Sequence, residues 1–158
     1  MKKKNGFNII LFDFIIILFL NLSCSTASKK CSGGELLHVD SVFSAMSEKE
    51  GMFKAFMFFI AEDGVILRDD SFPDIGRVSL ARHFSGKSDT SFILSWEPIF
   101  ENISESRDIG YTYGIYTNTD KISGEIMKGT YVTIWKRQKD GKWKFVLDSG
   151  TQGLPEMK

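Results

Sequence analysis

The apolar residues of this chain repeat with one period up to about Ala61 and another after Gly86, and that change restricts the fold more than any other feature. From Glu35 onward, Leu36, Leu37, Val39, Phe43, Met46, Phe53, Phe56, Met57 and Ile60 recur at three- and four-residue steps, the spacing of an amphipathic helix. Gly51, a poor residue for a helix interior, follows the charged run Ser47-Glu48-Lys49-Glu50, which predicts two helices meeting near 47–51. Glu62-Asp63-Gly64 reads as a turn into a short strand at Val65–Arg68. A loop to Gly76 and a short helix at Val78–Phe84 follow.

After Gly86 the pattern alternates. Ser91–Phe100 sets Phe92, Leu94, Trp96 and Phe100 on one parity, Ile109–Tyr116 alternates, and Glu125–Gln138 is rich in β-branched and aromatic residues. Asp140-Gly141 separates that run from Trp143–Asp148. Its glycine tolerates the positive φ of a tight turn, so the last two strands are expected to pair as a hairpin. Helices followed by a meander of strands make an α+β fold. The expected boundaries are one domain over 35–150 and a tail over 151–158.

The leading residues read as an address. Lys2, Lys3 and Lys4 precede the apolar stretch Ile9–Leu20, broken only by Asp13, and Asn21-Leu22-Ser23-Cys24 follows. Twelve helical residues span about 18 Å, short of the roughly 30 Å hydrocarbon core, so a permanent span is the weaker reading. The segment resembles a lipoprotein signal over 1–23, with Ser23 in the small position and Cys24 as the lipid acceptor. Asn21 stands where such signals usually carry Leu, and ordinary cleavage without lipid is the alternative. Residues 24–34 read as a flexible tether. The expected place is the cell envelope, facing periplasm or exterior, with lipid on Cys24 holding the domain to a membrane. With Cys24 acylated, Cys31 has no intrachain partner, and no disulfide framework is inferred.

The chain carries 20 basic and 20 acidic side chains, and the residues after 23 have a net charge of −2, which argues against a nucleic-acid partner. His38 and His83 show no metal-ligand spacing, and no phosphate-binding glycine loop, dinucleotide fingerprint or nucleophile elbow is present. No metal and no cofactor are therefore expected. Lys136–Lys144 (KRQKDGKWK) is the one basic cluster. Its ordinary reading is a solvated hairpin tip, with contact to acidic lipid or glycan as the alternative.

One ordered series of residues carries a family likeness: Leu37, Asp40-x-x-Phe43, Ala55-Phe56, Asp63-Gly64-Val65, Gly76, Trp96-x-Pro98, Gly110-Tyr111-Thr112-x-Gly114, Gly129-x-Tyr131-Val132-x-x-Trp135 and Asp140-Gly141-x-Trp143-Lys144. From Leu36 to about Asp148 the chain resembles the SnoaL-like branch of the nuclear transport factor 2 superfamily, in a subfamily of unknown function. The resemblance implies a curved antiparallel sheet wrapped around the N-terminal helices, a conical pocket for a small apolar molecule, and a leaning toward homodimers. Relatives in that superfamily include ketosteroid isomerase and polyketide cyclases, and the fold alone does not choose among them.

In such a cone, a carboxylate is the group to look for, because desolvation raises its pKa toward neutrality and makes it a usable acid or base. Asp148 is the first catalytic candidate and Asp63 the second. Their plain readings are a strand-end cap and an Asp-Gly turn. Asp40, inside the first helix, ranks with Asp63 as a functional candidate, its plain reading being a local hydrogen bond or cap. Trp96, Tyr111, Tyr113, Tyr131 and Trp135 are candidate ligand-binding walls, or else core or interface packing. Tyr111 and Tyr113 share one strand face and Tyr131 and Trp135 another; a one-residue slip would exchange them with Thr112 and Ile134. The expected role is a tethered small-molecule-binding domain, with acid–base chemistry at Asp148. The alternative is a non-catalytic partner-binding or dimerisation module that uses the outer sheet face.

Overall fold

The computed structural model describes residues 34–154. The expected signal, the acceptor Cys24, and Cys31 lie outside the described residues. Helix α1 (Glu35–Glu50) and helix α2 (Met52–Phe59) meet at Gly51, whose φ of 94° suits glycine. A Cβ there would come within 2.7 Å of Asp89 Oδ2. That oxygen accepts the Phe53 N–H at 2.9 Å and so caps the start of α2.

Strands β1 (Ile60–Leu67) and β2 (Asp74–Ile75), helix α3 (Arg77–Phe84) and strands β3 (Phe92–Ile103), β4 (Ile109–Asp120), β5 (Ile126–Arg137) and β6 (Trp143–Gln152) follow. They form one sheet in the order β2-β1-β6-β5-β4-β3. All neighbours are antiparallel except β1 and β6, which run parallel. The α+β class, the helix break and the β5–β6 hairpin agree with the sequence reading. Gly141, at the hairpin, has φ 82°.

Three local expectations change. Glu62-Asp63-Gly64 does not turn the chain but lies inside β1, where the register against β6 slips between Ile60 and Val65. The slip leaves two acids, Glu62 and Asp63, exposed side by side where strict alternation would bury one. In β3, a second slip inserts Ile99 between Pro98, opposite Gly114, and Phe100, opposite Tyr113. Trp96 and Phe100 therefore face opposite sides of the sheet in spite of their shared parity. Finally, Thr151 and Gln152 pair with Thr130 and Gly129, so the sheet extends beyond the domain end expected at 150.

The helices lie across one face of the sheet, and Phe43 of α1 is the centre of the core. Its ring lies 4.9 Å from Phe56, 4.7 Å from Phe59, 4.6 Å from Trp96 and 5.7 Å from Phe145. Truncating such a residue costs about 3–5 kcal/mol, through lost transfer energy and the void left behind. Among the described residues, the buried core side chains run from Leu36 to Phe145. The start of α1 has no cap of its own at Gly34. Glu101 of β3 supplies one, accepting the N–H of Gly34 at 2.6 Å and of Leu37 at 2.7 Å.

Candidate functional site

The inner sheet face and helices α2 and α3 leave a cavity of about 520 Å³, within the range of small-molecule sites. Its walls are mainly apolar: Met52, Phe56, Ile66, Phe84, Leu94 and Trp96, with Tyr116 and Tyr131. Alternation along β5 turns Tyr131 into this space, whereas in β6 a register slip that leaves Val146 unpaired puts Asp148, three residues after the core residue Phe145, on the same inner face. Arg68, Asp69, Ser71, His83, Lys87 and Gln152 complete the lining.

Asp148 is half-buried, deep among protein atoms, and contributes to the cavity wall. Thr133, directly opposite on β5, donates its hydroxyl to Asp148 Oδ2 at 2.7 Å. Burial pushes the carboxyl up to about 7, the nearby charge of Asp40 adds to that, and the Thr133 hydrogen bond and Arg68 oppose it. A carboxyl that ionises near neutrality can both accept and release a proton under ordinary conditions.

A second carboxylate lies behind the wall. Asp40 is fully buried; Trp96 Nε1 donates to its Oδ1 at 2.7 Å and Tyr131 OH to its Oδ2 at 2.8 Å. Burial raises its pKa, against hydrogen bonds from Thr112, Trp96 and Tyr131 that favour the charged form. Tyr131 is pushed far above the ordinary phenol range, first by burial and then by the charge and hydrogen bond of Asp40. The Tyr131 hydroxyl thus stays protonated, with its hydrogen directed at Asp40.

At the cavity edge a polar chain runs from Arg68 to Asp74, from Asp74 Oδ2 to His83 Nδ1 at 3.3 Å, and from His83 Nε2 to Lys87 Nζ at 2.9 Å. Burial, Arg68 and Lys87 together lower the His83 pKa. A neutral ring fits both contacts: Nε2 accepts from Lys87 while Nδ1–H donates to Asp74.

The structure brings together Asp148, Tyr131 and Trp96 from the expected set and separates the others. Asp63 is exposed on β1, away from the cavity, because of the β1 bulge. Tyr111 and Tyr113 are 38% and 43% exposed on the outer sheet face, where Phe100 stacks on Tyr113 at 5.3 Å. Trp135 faces inward but is sealed in the core, its Nε1 donating to Thr112 Oγ1 at 2.8 Å. Asp40 makes long-range bonds rather than the local cap expected of it. Its signal in the sequence is a lone carboxylate on the apolar stripe between Leu36 and Phe43. Arg68, His83 and Lys87 carry no such signal.

No family model matches the chain, and no curated protein does. Solved structures do. A ketosteroid isomerase-like protein from Erwinia carotovora atroseptica superposes with a TM-score of 0.58 at 14% identity, over 75% of this chain and 95% of that one. A nuclear transport factor 2-like protein with a cystatin-like fold from Novosphingobium aromaticivorans gives 0.61 at 14% identity, over 75% and 79%. This chain has that fold. A Catenulispora acidiphila protein solved in complex with S-DNPA superposes on this chain with a TM-score of 0.59 at 16% identity over 75% and 91% of the two chains. At these identities the likeness concerns the fold, which hosts many sites.

Proposed function

We propose that this domain binds one small, largely apolar molecule in its cavity, belongs to the SnoaL-like branch of its fold, and uses Asp148 for proton transfer. The observation that carries the reading is the position of Asp148: a carboxyl pushed up to about 7, on the wall of an apolar space of about 520 Å³. Thr133 holds Oδ2, and Oδ1 is the oxygen assigned to the ligand. The S-DNPA bound to the Catenulispora protein and the ketosteroid isomerase-like description of the Erwinia protein support a small-molecule occupant. A panel of polycyclic and aromatic ketones, read by the Trp96 indole N–H in heteronuclear NMR, tests it. At least one compound is expected to give a saturable shift, and Asp148→Asn to weaken it by about tenfold, the worth of one charge-assisted hydrogen bond. Saturable binding indifferent to that substitution removes Asp148 from the site.

The domain is further assigned to the cell envelope, tethered through lipid on Cys24, on the strength of the leading sequence. Cys24→Ser is expected to move the protein into the soluble fraction; retention at the membrane would favour an uncleaved anchor.

One observation favours a second role for the outer face. Phe100, Tyr111 and Tyr113 form an exposed aromatic patch beside Ile115 and Val132. Such a patch suits a second copy of the chain. Tyr113→Glu is then expected to yield monomers in analytical ultracentrifugation, and a monomeric native protein would refute the assignment.

A further inference from the structure

The basic hairpin and a shallow apolar groove lie where β6 begins, at Trp143, whereas the cavity takes the far part of that strand, from Asp148 to Gln152. Residues 136–144 hold five cations, Lys136, Arg137, Lys139, Lys142 and Lys144, against one carboxylate, Asp140. Lys136, Lys139 and Lys142 are exposed, Lys142 with its Nζ 3.4 Å from Asp140 in a solvent-exposed pair that contributes little. The groove, about 380 Å³, is lined by His38, Val42, Phe58, Lys142, Trp143 and Lys144 among others. Phe58 is 55% exposed and Val42 46%, and both line the same groove, so they form one apolar surface. Lys144 lies over the Phe58 ring, its Nζ 4.5 Å from the centroid, so cation and apolar surface form one continuous patch.

The neighbouring acids are largely engaged. Glu35 is bound by Arg107 and by Arg137 at 2.6 Å, with Trp143 Nε1 donating at 3.0 Å. Asp108 accepts the hydroxyls of Ser104 and Ser106, which hold it in place and leave its charge, so the excess of cations at this end comes from the hairpin lysines. The same contacts locate the start of α1, since Glu35 touches Arg137 and Trp143 at the base of the hairpin. The described chain thus begins at the basic end, ten residues after Cys24, and ten residues reach at most about 35 Å.

We infer that this end, Lys139, Lys142, Phe58 and Val42 together, docks on an acidic phospholipid surface. Lysines on the hairpin tip attract the anionic headgroups, and the two apolar side chains enter the interfacial layer. Lipid on Cys24 would present this same end to the bilayer; in that respect only, the proposal rests on the tethered reading. Docked so, the membrane meets the start of β6 at Trp143, while the cavity draws on the strand from Asp148 to Gln152.

The test uses the chain from residue 32 onward, with no acyl chain and with a cooperative melting transition required as proof of folding, so it stands apart from the Cys24→Ser experiment. Cosedimentation is measured with vesicles of phosphatidylcholine alone and of phosphatidylcholine mixed with phosphatidylglycerol. Binding is expected only to the mixed vesicles, to fall steeply as salt rises, and to drop at least about tenfold in the Lys139→Glu/Lys142→Glu variant. Phe58→Ser is expected to weaken it about threefold or more, with an unchanged melting curve showing that the fold survives. Equal binding to both vesicles, no binding to either, or an unaffected double-lysine variant would overturn the proposal. Retention on a sulfated glycan without vesicle binding would overturn it too, in favour of a different polyanion.

Discussion

Tyr131 on β5 and Asp40 on α1, 91 residues apart in sequence, share a buried hydrogen bond of 2.8 Å that ties the helix layer to the sheet beside the cavity. Asp40 also takes the Trp96 indole, so one carboxylate fixes two aromatic walls. Asp40→Ala would strand two buried donors, each costing about 1–3 kcal/mol. A loss of roughly 3–5 kcal/mol is expected in urea denaturation. Tyr131→Phe, which removes one donor, is expected to cost less, about 1–2 kcal/mol. A neutral Asp40→Ala would mean the network contributes nothing net.

Asp148 gives the stability curve a sign. In the folded protein it ionises at about 7, whereas in an unfolded chain it ionises near pH 4. Between those values the native state holds a proton that the unfolded state has released, so stability falls as pH rises and levels off above about 7. Asp148→Asn removes that slope. Between about pH 5 and about pH 8 the variant is expected to gain roughly 2–3 kcal/mol relative to wild type. Parallel pH profiles for the two proteins would show that the carboxyl is not held protonated.

Glu101 caps α1 from a distant strand, and no nearer side chain does so. Replacing it with alanine leaves two N–H groups at the helix start without their acceptor. The expected cost is about 1–2 kcal/mol in thermal or urea unfolding. Glu101→Gln is expected to retain part of that stability, since its single amide oxygen can serve only one of the two donors well.

Gly114 lies opposite Pro98, beside the Ile99 slip between β3 and β4. A Cβ there would overlap the carbonyl oxygen of Glu97 and press on the Tyr131 ring at 2.9 Å. Backbone cannot move aside as a flexible side chain can, so Gly114→Ala is expected to cost on the order of 3 kcal/mol or more. Expression with native-like melting would show that the bulge can absorb a methyl group.

Features of this fold set by neighbours in sequence were legible; those set by distant partners were not. The α1–α2 break follows from Gly51 and the charged run before it, and the β5–β6 hairpin from Asp140-Gly141, all local signals. Asp148 was legible as a carboxylate among apolar strand residues, and the structure gives it a cavity wall. Parity assigned Tyr111 and Tyr113 correctly to a common face without saying which, and the Ile99 insertion moved Phe100 to that face as well. The Asp63-Gly64 pair fits a turn and a bulge equally well by composition, and only pairing with β6 decides between them. The cavity edge is assembled from a loop, the end of α3 and the end of β6, three stretches that have nothing in common until the chain is folded.

The parallel pairing of β1 with β6 carries a kinetic consequence. The first strand made during synthesis hydrogen-bonds along one edge only to the short β2, and along the other to the last strand of the sheet. Until β6 emerges, Ile60 and Ile66 lack their partners Phe145 and Asp148, and the chain stays open. Loop closure over such a separation slows folding, so the sheet is completed only when the last strand joins the first.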